Sequence, residues 1–143
     1  MALKRVVVTG LGALTPIGNN LKDFWSGLIA GKSGSAPVTY FDTEKFKTKF
    51  ACELKGFDPL EFLDRKQQRK MDRFTQYGMV STDEAIIDSG IDLEKIDKLR
   101  VGVIWGSGIG GLETFQNEVL NYAQGDGTPR SVSYTHLTLP TNC

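Results

Sequence analysis

The polar and apolar positions of the chain change period several times. RVVVTG (5–10) is an uninterrupted β-branched run closed by a glycine, and VGVIWGSG (101–108) is a second apolar run of the same kind. Continuous runs of this length predict strands buried on both faces at the centre of a sheet. Between them the period turns helical. Leu21, Phe24, Trp25, Leu28 and Ile29 recur at helical spacing, Asn20 stands where a cap belongs and Gly31 where a helix closes, so a helix is expected over 21–30. In DPLEF (58–62), Asp58 as cap, Pro59 at the first helical position and Glu61 three after the cap predict a short helix. A longer helix is expected over 69–89, with Met71, Phe74, Gly78, Thr82, Ala85 and Ile86 on one face and Gly90 at its end. The small residues Gly78 and Ala85 would permit close packing against a sheet. A last helix is expected in GLETFQNEVLNYAQG (111–125), with Leu112, Phe115, Val119 and Tyr122 facing inward. KFKTKFACEL (45–54) alternates in part and reads as a loop with a short exposed strand. Strand, helix, helix, strand, helix is an α/β order with parallel central strands. Too few strands are visible to complete a doubly wound sheet, which points to a fragment of a larger domain.

Composition narrows the function classes. Of 143 residues 40% are hydrophobic, enough for a core, and 17 basic residues balance 17 acidic ones, so no overall basic field points to nucleic acid. MALKRVVVTG lacks the apolar stretch and cleavage site of a signal peptide, and no apolar run reaches membrane-spanning length. A cytoplasmic protein with no membrane partner is the expectation. Cys52 and Cys143 form no C-x-x-C pair and His136 stands alone, so neither a disulfide framework nor a metal site is supported. The tail SVSYTHLTLPTNC (131–143) is polar and threonine-rich and resembles translated adapter sequence, so residues 131–143, with His136 and Cys143, are set aside as non-native.

Two glycine loops imitate a phosphate cradle. Gly106, Gly108 and Gly111 spell G-x-G-x-x-G between an expected strand and helix. The acidic residue at the right distance, Asp126, follows a helix instead of ending a second strand, so the ribose contact is missing. GLGALTPIG (10–18) has Thr15 and Pro16 where the third glycine and helix start belong, and AGKSG (30–34) lacks the earlier glycine of a P-loop. Dinucleotide binding and a purely structural use of the glycines both remain open on this reading. A second feature is DRKQQRKMDR (64–73), in which Arg65, Lys66, Arg69, Lys70 and Arg73 recur with i, i+4 spacing and so would share one helical face. It is either an ordinary solvated face or a docking surface for an acidic partner.

Three stretches together resemble one family. KRVVVTGLGALTPIGN, RKQQRKMDRFTQYG and GSGIGGLETF, in that order and spacing, resemble β-ketoacyl-acyl-carrier-protein synthases, over residues 4–130. RKMDRFTQYG with GSGIGG points to the synthase II type of fatty acid elongation, with polyketide ketosynthases close by. The resemblance implies an α/β, thiolase-like fold, an α-β-α-β-α layered sandwich of which residues 1–130 would supply the first part of the N-terminal half. It implies an acyltransferase, dimeric at full length, that needs no cofactor and performs a decarboxylating Claisen condensation between an acyl thioester and malonyl-acyl carrier protein. The family's nucleophilic cysteine and two histidines fall beyond residue 130; Cys52 matches no nucleophile motif, so no catalytic residue is assigned and this stretch should be inactive alone. Carried over by position, Lys66, Arg69 and Lys70, with Arg65, match the surface that docks acyl carrier protein. Ile109 matches a residue that projects into the acyl pocket, with Gly106 and Gly108 leaving room for the chain. A non-catalytic docking module for the carrier protein is the alternative reading.

Overall fold

In a computed structural model, which describes residues 4–125 and 128, side-chain caps start two of the four helices and both 3₁₀ turns among the described residues. The elements follow in the order α1 (Leu21–Ile29), β1 (Ala36–Pro37), β2 (Phe50–Ala51), a 3₁₀ turn (Pro59–Glu61), α2 (Arg65–Lys70), α3 (Arg73–Ser89), a second 3₁₀ turn (Lys98–Arg100) and α4 (Leu112–Gln124). The chain divides into two units after Gly106, and α4 lies in the second. The tail 131–143 lies outside the described residues.

The expected caps form. Asn20 accepts from the Asp23 N–H and starts α1, and Asp58 accepts from the Leu60 N–H and starts the first 3₁₀ turn. Gly90 closes α3 with φ 65°, a left-handed conformation that glycine adopts without strain. The expected short strand is β2, paired antiparallel with β1 in the register Ala36 to Ala51 and Pro37 to Phe50. Beyond this ladder, Glu53 takes over from the backbone: its carboxylate accepts from the Thr39 N–H at 3.0 and 3.1 Å and from the Thr39 hydroxyl at 2.7 Å.

Three expectations are corrected. The helix expected over 69–89 is two helices. The Asp64–Gln67 capping box starts α2 at Arg65, earlier than expected, and Met71 (ψ 135°) and Asp72 (ψ 158°) are extended, which ends α2 and restarts the chain as α3. The Asp72 carbonyl accepts the first amides of α3, from Thr75 and Gln76. The two apolar runs 5–10 and 101–105 are not in strands. Val6 is 89% exposed and Ile104 99% exposed. A strand takes its hydrogen bonds and its buried faces from neighbours, and among the described residues no strand lies alongside either run. For the same reason the apolar stripes of α1 and α4 lack a cover: Trp25, Leu28 and Ile29 on one, and Leu112, Phe115, Val119 and Tyr122 on the other, are exposed.

What is packed centres on α3. Leu63 and Val80 are the buried hydrophobic residues among those described. The indole of Trp105 lies across Gly78, where a Cβ would come within 2.6 to 3.0 Å of the ring. The loop after the first apolar run lies on the same helix. A Cβ on Gly10 would meet the Ala85 carbonyl, and one on Gly12 the Ser81 carbonyl. Gly78 and Ala85 thus admit close packing as their size suggests, against an indole and a glycine loop.

Candidate functional site

The short helix α2 presents Arg65, Lys66, Arg69 and Lys70, all exposed, while Gln67 and Gln68 face inward and are half-buried. Six residues are too few to hold a helix by themselves, so its ends decide its order. At the N-terminus the Asp64 carboxylate accepts from the Gln67 N–H at 2.7 Å and the Gln67 side chain accepts from the Asp64 N–H at 3.1 Å. At the other end Gln76, which is 7% exposed, reaches back from α3. Its side-chain amide donates to the carbonyls of Gln68 at 3.1 Å and Met71 at 2.9 Å, groups at the C-terminal end of α2. Arg69 and Lys70 lie in the last turn, where cations complement the helix dipole.

Arg73 does not join this face. The break at Met71–Asp72 moves it to the first turn of α3, where its guanidinium lies 4.5 Å from the centre of the Tyr40 ring. The continuous five-cation face expected from spacing is therefore four cations on α2 and one stacked arginine. Arg73 and Tyr40 edge a concave pocket of about 320 Å³ that Tyr77, Phe57, Leu54 and Pro59 also line, with Gln68 and Gln76. Phe57 packs edge-on against Tyr77 and stacks on Phe62. Partial burial raises the Tyr77 phenol above its ordinary pKa, and the neighbouring Tyr40 adds to the rise while Arg73 opposes it. Glu53, held by Thr39, sits below the ordinary glutamate value, chiefly through the hydrogen bond from the Thr39 hydroxyl.

The first glycine loop is occupied by protein. Leu11 N–H donates to Asp88 at 2.8 Å, and the two oxygens of Glu84 accept from Ala13 N–H and Leu21 N–H, each at 2.8 Å. Carboxylates already stand where a phosphate would have to approach these amides, and they repel it. The glycines there serve close packing on α3. In the second loop a Cβ on Gly106 or Gly108 would meet nothing, and Gly111 (φ 77°) caps α4. Gly106 ends the first unit; Gly108 and Ile109 belong to the second, where Ile109 is 76% exposed. Asp126 lies outside the described residues. Among the described residues no three His, Cys, Asp or Glu side chains cluster as metal ligands, and no helix is long and apolar enough to cross a membrane.

Gln76, Glu84 and Asp88 escaped the sequence reading. Glu84 and Asp88 are four apart and carried a visible signal, a carboxylate pair beside the small residues Ser81 and Ala85. Gln76 gave none, since a glutamine off the apolar face of the helix expected over 69–89 reads as surface.

Comparison with known proteins places the chain among thiolase-like α/β condensing enzymes. The model of the beta-ketoacyl synthase N-terminal domain matches residues 3–142. This chain belongs to the β-ketoacyl synthase family. It is 44% identical over 133 residues to 3-oxoacyl-[acyl-carrier-protein] synthase 2 of Vibrio cholerae, covering 93% of this chain and 32% of the relative. The corresponding Staphylococcus aureus protein (strain COL) is 45% identical over 130 residues, covering 91% of this chain and 31% of the relative. The chain thus spans about a third of the length of these relatives. Among solved structures it resembles a beta-ketoacyl synthase from Burkholderia phymatum, with TM-score 0.72 and 28% identity, over 93% of this chain and 33% of that one. It also resembles one chain from a solved complex of a type II PKS acyl-carrier protein with its ketosynthase, with TM-score 0.74 and 28% identity, over 93% of this chain and 34% of that one.

Proposed function

We propose that this chain forms part of a cytoplasmic, fatty-acid-elongating β-ketoacyl-acyl-carrier-protein synthase and supplies its docking helix. The observation that carries the reading is α2: four exposed cations on a two-turn helix capped at both ends, in a chain 44% identical over 133 residues to a synthase 2. In the reaction, a cysteine thiolate takes the acyl group from acyl carrier protein as a thioester. Malonyl-carrier protein then loses carbon dioxide, and the electron pair of the broken bond forms the new carbon–carbon bond at the acyl carbonyl while the cysteine leaves as thiolate. Thiolate nucleophilicity serves the first step, and hydrogen-bond donation from two histidines to the enolate and the oxyanion serves the second. None of these groups is assigned within residues 1–143, which are inactive alone on this reading, and the working enzyme is a homodimer. Residues 1–130 contribute to its N-terminal half; Lys66, Arg69 and Lys70, with Arg65, dock the acidic carrier protein. Ile109, Gly108 and Gly106 border the acyl chain.

A solved relative is a ketosynthase held in complex with its acyl carrier protein, which supports such a partner and favours, as a second reading, a polyketide ketosynthase. The test is binding of acyl carrier protein at rising salt. Lys66→Glu with Arg69→Glu is expected to weaken it by about tenfold or more and to flatten the salt dependence. Unchanged affinity in that double variant sinks the docking assignment. Carbon dioxide release from malonyl-carrier protein by the complete synthase, with saturated acyl-carrier against polyketide-carrier acceptors, separates the two pathways.

A further inference from the structure

We propose that Gln76 is the positioning residue of the docking helix: its buried amide clamps the C-terminal end of α2, and without that clamp the four cations no longer form one surface. The inference rests on the docking reading of α2 and deepens it. α2 has only six residues, below the length at which a helix is stable unaided. Its outer side is all charge, with Arg65, Lys66, Arg69 and Lys70 repelling one another at i and i+4. Repulsion of that kind favours fraying, so the order of the cations has to come from the way the two ends are held. Gln76 supplies it at one end, with two hydrogen bonds at 3.1 and 2.9 Å from a side chain that is 7% exposed. Buried amide donors of this kind have no water to fall back on, so their bonds are held firmly. The Gln76 backbone is itself fixed, because its N–H donates to the Asp72 carbonyl at 3.1 Å in the first turn of the 17-residue α3. The elbow at Met71–Asp72 would otherwise act as a hinge between the helices. Gln76 ties the two sides of that hinge together.

The experiment uses the intact protein and holo-acyl carrier protein as probe. Gln76→Met keeps the length and removes the donors. It is expected to weaken carrier binding by about five- to tenfold and, in the complete synthase, to raise KM for the carrier-bound substrate more than it lowers kcat. The decisive measurement is a double-mutant cycle with Lys66→Glu plus Arg69→Glu. If Gln76 acts through the cations, its substitution has little further effect once they are reversed. Full additivity overturns the proposal. If the charge reversals alone change nothing, the docking reading itself fails; if they weaken binding and Gln76→Met does not, only the role of Gln76 fails. Should Gln76→Met prevent folding, Asp64→Ala tests the same idea at the exposed end of α2. Removing a negative charge beside the patch predicts tighter binding of an acidic partner by charge alone, whereas loss of helix order predicts weaker binding. Tighter binding overturns the premise that helix order holds the patch, and the proposal with it; weaker binding supports that premise.

Discussion

Replacing Gly12 with alanine tests how the first glycine loop is held. The new Cβ would overlap the Ser81 carbonyl oxygen and come within 2.9 Å of the Ala85 nitrogen, both backbone atoms of α3 that cannot swing aside. The loop has to lift. Overpacking of this kind costs about 1–3 kcal/mol. Lifting also stretches the Ala13 N–H to Glu84 bond, now 2.8 Å, and hydrogen bonds to charged groups are worth about 1.5–3 kcal/mol at most. Against this, alanine restricts the unfolded chain and returns about 0.4–1 kcal/mol. The balance is a local loss of about 2–3 kcal/mol, which raises amide exchange at Leu11, Ala13 and Leu21 by roughly 30-fold or more. The matched control is Gly106→Ala, where the Cβ meets nothing and the backbone is outside the left-handed region. That variant is expected to keep these amides protected. Hydrogen exchange followed residue by residue decides it. Equal exchange in the two variants would refute the idea that Gly12 exists for close approach.

Other outcomes follow from the same contacts. Glu84→Gln keeps one acceptor oxygen where two N–H groups now find two, so exchange should rise at one of Ala13 and Leu21 while the other stays protected; continued protection of both argues against the bridge. Thr39→Val should move the Glu53 titration, followed by carboxyl NMR, back up toward the ordinary glutamate value. Because the folded value is lowered, the stabilisation is complete above the unfolded glutamate pKa of about 4.3 and is lost as the pH falls through the lower folded value. A titration midpoint that ignores Thr39 would assign the shift elsewhere. Millimolar NAD should give no saturable heat in calorimetry, and a saturating isotherm would reopen the phosphate-cradle reading of the glycines.

Structure that depends on near neighbours in the chain was legible in the sequence. Asn20, Asp58 and Gly90 mark their helix ends because a cap is a bargain among residues a turn apart. Gly78 was readable as a close-packing point, although the sequence did not identify the Trp105 ring as what lies on it. The break at Met71–Asp72 was not legible, because helical periodicity runs straight across it and only the competing capping box at Asp64 and Gln67 moves the start of α2. The runs 5–10 and 101–105 misled for the opposite reason. Their composition describes a sheet interior, but hydrogen bonds to other strands have to be supplied from outside each run. Within the candidate site, Lys66, Arg69 and Lys70 were readable from spacing and resemblance, whereas the amide that holds their helix came from a residue with no distinguishing pattern.

The clasp of Asp88 and Glu84 on the glycine loop has a kinetic meaning for the valines just before it. Leu11 is tethered to α3 at the point where the run 5–10 ends, so the search for a neighbouring strand starts from an anchored end. Closing a long loop is the slow, entropy-limited part of building a sheet from distant segments. Here that search is shortened before any ladder forms. The price is a sticky state, because an anchored apolar run with Val6, Val7 and Val8 exposed will accept any strand edge that arrives first. Synthesis of this protein should therefore be most vulnerable to aggregation in the interval after α3 has folded and before that run is covered.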